Sequence, residues 1–187
     1  MCMFLYCLPI ISVSQPSSHL LQIAANVAYH SISGSYGLQP AMGLGLSFFV
    51  SPFQNLNLGV SAQVARPTAT YDIIAGTGEE RLQMSLYQIC SSVQVADVFS
   101  ITLDVDARLG VLVLSTNPRE ISAGGLGSIT IPAKTDHELA FSLGPTVSKA
   151  LTSRLRVFLS PAVFYTAPLH LNAAGYLMEG GLSLGIL

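Results

Sequence analysis

The chain has 187 residues, of which half are hydrophobic and 10% are charged, and its net charge is −2. Soluble domains carry about 25% charged residues, so the composition argues against an ordinary water-soluble domain, and no basic patch indicates nucleic-acid binding. The mean hydropathy is +0.55, and the first charged side chain is Arg66, a distribution that suits contact with lipid better than contact with water.

Residues 1–18 are predicted to be a signal-like or disordered segment, and residues 19–187 a single β-barrel domain. Met1–Val13 is apolar, but it contains Pro9 and is shorter than the roughly 18 residues of a transmembrane helix. It has the hydrophobic region of an export signal without the usual basic start. An additional N-terminal strand or a plug is the alternative interpretation.

Eight segments alternate apolar and polar side chains with the period of two that is typical of strands. In Phe99–Val113 the apolar residues share one face, and the other face carries Ser100, Thr102 and several charged residues. Apolar side chains toward lipid and polar side chains toward the lumen are typical of membrane barrels. We therefore predict an all-β fold, an eight-stranded antiparallel up-and-down transmembrane β-barrel with a polar, filled lumen. The segments are Leu21–His30, Met42–Ser51, Leu56–Ala65, Leu82–Val95, Phe99–Val113, Leu139–Ser148, Leu155–Tyr165 and Tyr176–Leu187.

One segment changes phase. In Leu82–Val95 the apolar residues have even numbers up to Leu86 and odd numbers from Ile89 onward. A one-residue β-bulge near Leu86–Gln88 would return all of them to the lipid face. On the lumen face of the next segment, Leu112 is the one apolar exception.

The connections alternate in length, as the periplasmic turns and outer loops of an up-and-down barrel do. Tight turns are predicted at Pro52–Asn55, Ala96–Val98 and Leu151–Ser153. Longer connections are predicted at Ser31–Gly37, Pro67–Glu80, Leu114–Thr135 and Ala167–Gly175. This arrangement places both chain ends on the periplasmic side.

Three segments consist of a polar turn followed by an alternating strand: PFQNLNLGVSAQVA, VADVFSITLDVDARLG and ALTSRLRVFLSPAVFY. They resemble the inner hairpins of small bacterial outer-membrane barrels, the OmpA-like and Opa-like superfamily. The C-terminal GGLSLGIL resembles the terminal strand signal of such proteins, with Gly181, Leu184 and Ile186 in place and Leu187 where an aromatic residue is usual. The resemblance implies location in the bacterial outer membrane. It also implies three partners: membrane lipid or lipopolysaccharide, the barrel-assembly machinery during biogenesis, and an extracellular ligand bound through the loops.

Charged residues fall on the predicted lumen face: Asp104, Asp106, Arg108, Glu138 and Arg156. An eight-stranded barrel is just wide enough for side chains to fill it, and isolated buried charges are costly. We therefore expect an ion-pair network that packs the lumen. Arg108 is expected to find its partners across the lumen, not on its own strand. A gate or narrow ion path is the alternative, and paired catalytic carboxylates are the least favoured.

Aromatic residues flank the predicted connections. Tyrosine favours the membrane interface because its ring is apolar and its hydroxyl is hydrated. Interface positions are expected for Tyr29, Tyr36, Phe53, Phe99, Tyr165 and Tyr176. Cysteine and histidine spacing predicts no metal site and no cofactor, and Cys90 is expected to be a small buried residue.

The first hypothesis for function is a non-enzymatic outer-membrane protein that is structural or displays its loops for adhesion or recognition. The second is a small passive channel for tiny or apolar solutes. The third is an enzyme that modifies lipid A, because His170 and Asn172, with Glu179 nearby, resemble the H-x-S-N signature of barrel lipases, although Asn172 replaces the serine nucleophile. A soluble lipocalin-like barrel, with the opposite polarity, is the fourth.

Overall fold

The computed structural model describes residues 21–33, 38–73, 76–122, 128–167 and 174–186, which form eleven strands. Within this part of the chain, no helix is long and apolar enough to cross a membrane. The strands are β1 (Leu21–Ser33), β2 (Ala41–Phe53), β3 (Leu56–Ala65), β4 (Thr68–Ile73), β5 (Gly76–Val98), β6 (Ile101–Thr116), β7 (Arg119–Ser122), β8 (Ser128–Ile131), β9 (Thr135–Ala150), β10 (Leu155–Ala167) and β11 (Ala174–Gly185).

Eight of these strands form a closed antiparallel ring in the order β1, β2, β3, β5, β6, β9, β10, β11. The ring closes where β1 pairs with β11, from Gln22↔Gly185 to Ser33↔Ala174. Closure matters because a sheet edge in lipid would leave backbone groups without hydrogen-bond partners. The predicted all-β, eight-stranded up-and-down barrel is confirmed.

The ring strands alternate in burial as the sequence pattern predicts. Along β6, Leu103, Val105 and Leu109 are exposed on the outside, whereas Thr102 and Arg108 are buried inside. The same alternation continues through β1, β9 and β10. The outer surface is therefore an apolar band, the surface that a lipid-embedded barrel presents.

The two ends of the barrel differ. We call one end the inner end; it carries the short turns 54–55 and 99–100, the connection 151–154, the start of β1 and the end of β11, and the opposite end is called the outer end. At the outer end, β4 extends the barrel by pairing with the first residues of β5, and β7 pairs with β8 in a separate hairpin. The predicted connections Pro67–Glu80 and Leu114–Thr135 therefore contain strands and are not simple loops.

The turn between β5 and β6 lies two to three residues beyond its predicted position. The prediction of Ala96–Val98 is wrong, because β5 continues to Val98 and the chain turns at Phe99 and Ser100. Both turn residues have positive φ angles, 52° and 66°, as in a type I′ hairpin, which ordinarily uses Asn-Gly. A Phe-Ser turn carries no such signature, so its position has no local signal in the sequence.

The predicted bulge near Leu86–Gln88 is also wrong. The pairing of β3 with β5 is unbroken from Leu56↔Val93 to Ala65↔Met84. The irregularity lies instead between Gln94 and Ala96, opposite β6. With no bulge at the predicted place, Leu82, Met84 and Leu86 all face the lumen and are buried.

Candidate functional site

The lumen is crossed near its middle by one arginine. Arg108 of β6 donates from Nη1 to Glu179 Oε1 of β11, and its Nη2 lies 3.2 Å from Asp106 Oδ2. Arg108 and Asp106 are each 7% exposed and Glu179 is 2% exposed. Arg108 therefore does reach a partner on its own strand, contrary to the prediction, and it also reaches across the lumen.

Glu179 is held by neutral amides as well as by the arginine. Asn26 of β1 donates from Nδ2 to Glu179 Oε2 at 2.9 Å, and Gln63 of β3 donates from Nε2 to Oε1. Gly45 of β2 makes this arrangement possible, because a Cβ atom there would lie 2.2 Å from Asn26 Oδ1. We call Asn26, Gln63, Asp106, Arg108 and Glu179 the charged belt.

Asp106 is anchored by hydroxyl groups of the neighbouring strands. Thr146 Oγ1 of β9 lies 2.6 Å from Asp106 Oδ2 and 2.7 Å from Ser160 Oγ of β10. Since a hydroxyl has one proton, Thr146 donates to the carboxylate and Ser160 donates to Thr146. The belt thus joins strands around most of the ring and fills the lumen at this level.

The remaining predicted lumen charges lie outside the belt. Glu138 is fully buried farther toward the outer end, beside Leu112 of β6. Asp104 and Arg156 lie near the inner mouth, where Arg156 Nη1 donates to Thr102 Oγ1 at 3.2 Å. The structure thus brings two of the five predicted residues, Asp106 and Arg108, into direct contact.

Glu179 is the charged residue of the belt that the predicted network lacked, along with the neutral Asn26 and Gln63. It has the same parity as Gly181 and Ser183, which the sequence pattern already placed on the lumen side of the last strand. Parity could therefore have identified it. Because it follows His170 closely in sequence, Glu179 was instead grouped with His170 and Asn172 in the lipase hypothesis.

The outer half of the lumen is largely apolar, apart from the buried Glu138 and His30, which corrects the prediction of a polar lumen. Leu112, the apparent exception on β6, is part of a buried cluster at this level. We call this cluster the apolar plug; it comprises Ala28, Ile32, Ala41, Ala65, Met84, Leu86, Leu112, Leu114, Ala140, Phe164 and Leu177. The physical reason is close packing, because apolar side chains that interdigitate exclude water as effectively inside a barrel as in a soluble core.

Between the belt and the inner mouth lies a small polar cavity, which we call the vestibule. The volume open to the centres of water molecules is about 80 Å³. Asp104, Asp106, Arg108, Arg156 and Glu179 are the charged groups in its wall, among serine, threonine and amide side chains. The lumen therefore has three levels: vestibule, charged belt and apolar plug.

The predicted interface aromatics lie near both ends of the barrel. Tyr29, Tyr165 and Tyr176 are exposed on β1, β10 and β11 toward the outer end. Phe53 and Phe99 lie at inner turns, and Phe99 is 94% exposed. Tyr36 lies outside the described residues, and Tyr87, exposed on β5, is an aromatic residue that the prediction omitted.

Two further predictions concern other parts of the chain. His170 and Asn172 lie outside the described residues, as does the whole of the predicted segment 1–18. Cys90 is buried, as expected, and its Sγ lies 3.4 Å from Ser61 Oγ on the lumen side.

The chain resembles known proteins in its fold and not in its sequence. No family model matches the sequence, and no curated protein resembles it significantly. Several solved structures, however, are similar to this chain in their fold. Neisserial surface protein A superposes with a TM-score of 0.68 and 12% identity, covering 89% of this chain and 97% of the neisserial one. The chain has the fold of the small outer-membrane β-barrels.

Two other solved outer-membrane proteins also superpose on this chain. A major outer-membrane protein of Thermus thermophilus has a TM-score of 0.58 and 12% identity, with 89% of this chain and 99% of that chain covered. Ail, the attachment invasion locus protein of Yersinia pestis, has a TM-score of 0.53 and 9% identity, with 88% and 97% covered. The predicted barrel class and its outer-membrane setting are thus supported by the apolar outer band and by the fold.

Proposed function

We propose that the protein is a non-enzymatic integral protein of the bacterial outer membrane, whose closed barrel holds its outer hairpins at the cell surface for a structural or recognition role. The filled lumen is the observation that carries this proposal. The charged belt and the apolar plug occupy successive levels, so the barrel resembles a scaffold more than a conduit. Lipopolysaccharide around the outer band and a ligand bound by the outer hairpins are the partners that this role implies.

Surface display supports the recognition role. The extension of β5 by β4 and the hairpin of β7 with β8 both lie at the outer end. Ail, which shares this fold, is named for attachment and invasion. β-Hairpins held on a closed barrel offer a ligand strand edges and side chains, and binding residues are often found on loops that a rigid scaffold positions.

The lipase hypothesis loses one of its residues. Glu179 accepts hydrogen bonds from Arg108, Asn26 and Gln63 in the middle of the barrel. A carboxylate held in this way is not at the membrane rim and is not available to orient a histidine. The proposal therefore assigns Glu179 to the packing of the lumen.

The topology is testable by cysteine labelling of intact cells. The exposed residues Ala133 and Gln54 lie at opposite ends of the barrel, and each is replaced by cysteine in a background where the three native cysteines are serine. We expect a membrane-impermeant maleimide to label Ala133→Cys in intact cells and Gln54→Cys only after the outer membrane is permeabilised. Labelling of Gln54→Cys in sealed cells would reverse the orientation and remove the display role.

A passive channel is the second candidate, and the polar vestibule is the observation that favours it. For the closed barrel we expect negligible conductance of the wild-type protein in planar bilayers. Steady conductance whose ion selectivity changes in Asp106→Asn would establish the channel instead. Lys149→Gln is the matched control, because it removes a charge that lies outside the lumen.

A further inference from the structure

The vestibule contains more oxygen ligands than its own hydrogen bonds use. Its volume of about 80 Å³ exceeds the roughly 10–15 Å³ that one water requires on this measure. An ion together with several waters fits this space. Asp104 and Arg156 are only partly buried at its lower edge, so solutes reach it from the inner end.

Two carboxylates face this space from one strand. Asp104 and Asp106 are two residues apart on the lumen face of β6, which separates them by roughly 7 Å. Asp106 Oδ2 is bound by Thr146 and Arg108, whereas its buried Oδ1 has no hydrogen-bond partner among the described residues. Asp104 forms no hydrogen bond or ion pair within the same part of the chain. Each carboxylate therefore has an oxygen available to a ligand.

The neighbouring strands add further oxygens at the same level. Ser92 of β5 pairs with Asp106, and Gln94 of β5 pairs with Asp104. On the other side, Thr146 of β9 pairs with Asp104 and also lines the cavity. Directly paired residues have Cβ atoms about 4.5–5.5 Å apart, so their polar groups surround the two carboxylates.

The charge of the vestibule favours a cation. Its wall contains three acids, Asp104, Asp106 and Glu179, against two arginines. Arg108 is paired with Glu179 and Asp106, while Arg156 donates to Thr102 and also attracts the Asp104 carboxylate. One negative charge therefore remains uncompensated in the vestibule.

The other buried side chains nearby show the same excess of acceptors. Asn26 Oδ1, Gln63 Oε1 and Gln88 Oε1 also have no donor among the described residues. The first two cannot be exchanged with their amide nitrogens, because each nitrogen donates to the Glu179 carboxylate. The lumen around the belt thus presents a surplus of oxygen lone pairs.

We propose that the vestibule binds a hard metal cation between Asp104 and Asp106, with Ser92, Gln94, Thr146 and water completing its oxygen shell. The described chain has no group of three or more His, Cys, Asp and Glu side chains arranged for a metal, so neutral oxygens and water supply most of the ligands. Ca²⁺ and Mg²⁺ are the cations that prefer such ligands. Cysteine and histidine spacing carries no trace of such a site, because its proposed ligands are carboxylates, hydroxyls, an amide and water.

Isothermal titration calorimetry tests the site on the full-length barrel folded in detergent and freed of metal with a chelator. CaCl₂ and MgCl₂ are titrated separately, and the thermal midpoint is followed by circular dichroism. We expect at least one of the two ions to bind saturably at one site per barrel and to raise the midpoint, because a ligand that binds only the folded state stabilises it.

Asp104→Asn is the decisive variant, because Asp104 makes no hydrogen bond or ion pair among the described residues whose loss would unfold the protein. We expect it to weaken cation binding at least about tenfold while leaving the metal-free midpoint unchanged or higher, since it removes repulsion from Asp106. Asp136→Asn at the outer end is the control and should bind as the wild type does. Absence of saturable binding of both ions, or binding by Asp104→Asn as tight as that of the wild type, would overturn the proposal.

Discussion

Arg108→Ala is expected to lower the free energy of unfolding by about 3–5 kcal/mol, because it leaves buried charge without a partner. Glu179 would lose its only cationic partner among the described residues, and Asp106 would keep only the hydroxyl of Thr146. The measurement is urea unfolding of the barrel in detergent, followed by far-ultraviolet circular dichroism. The magnitude makes this the most damaging single truncation that we expect in the lumen.

Arg156→Ala is the matched control for this prediction. It removes an arginine from the same lumen, but from the partly exposed mouth, where one hydrogen bond to Thr102 is lost. The expected loss is about 1 kcal/mol. A double variant, Arg108→Met with Glu179→Gln, should be more stable than Arg108→Met alone, because it no longer contains the unpaired Glu179 carboxylate. Equal effects of the two alanine variants would show that the belt does not hold the barrel together.

Leu109→Arg is expected to destabilise the folded barrel by about 2–4 kcal/mol, the cost of a lipid-facing arginine near the bilayer midplane. Leu109 is exposed on the outer face near the middle of β6, between Ile89 of β5 and Phe141 of β9. The measurement is reversible unfolding of the barrel in lipid vesicles, where the hydrocarbon thickness is defined. Detergent would reduce the effect, because a micelle deforms around a charge.

Ser148→Arg provides the comparison for Leu109→Arg. Ser148 faces the vestibule, where the wall has more acids than arginines, so a new cation there gains favourable interactions. We expect it to cost less than half as much as the lipid-facing substitution. A larger loss from Ser148→Arg would mean that the two faces have been assigned the wrong way round.

The ring strands were predictable because lipid and lumen impose opposite preferences on alternating residues. Along β6, the neighbours Val105, Asp106, Ala107 and Arg108 switch from apolar to charged at every step, and no helix would separate them in that way. The same kind of alternation along β11 places Glu179 in the lumen. The contacts within the belt were harder to predict from the sequence. The choice of partner for each charge depends on the register between strands that are distant in sequence.

The apolar plug could not be predicted from the alternating pattern, for a physical reason. Alternation distinguishes two faces only when one of them is polar. Met84 and Leu86 face the lumen as members of an apolar cluster, although the buried Glu138 lies at the same height. Interpreting them as lipid-facing required a bulge that the chain does not have. The phase change in β5 and the apolar Leu112 in β6 both depart from the alternating pattern, and both are explained by the apolar plug.

The seam between the first and last ring strands carries a consequence for assembly. Asn26 and Glu179 are 153 residues apart, and their hydrogen bond crosses the pairing of β1 with β11. A slip of one residue at this seam would turn Glu179 outward into hydrocarbon and bring Met178 inside. The buried carboxylate therefore selects the register in which the barrel closes. Only the observed pairing of β1 with β11 gives Glu179 its hydrogen-bond partners.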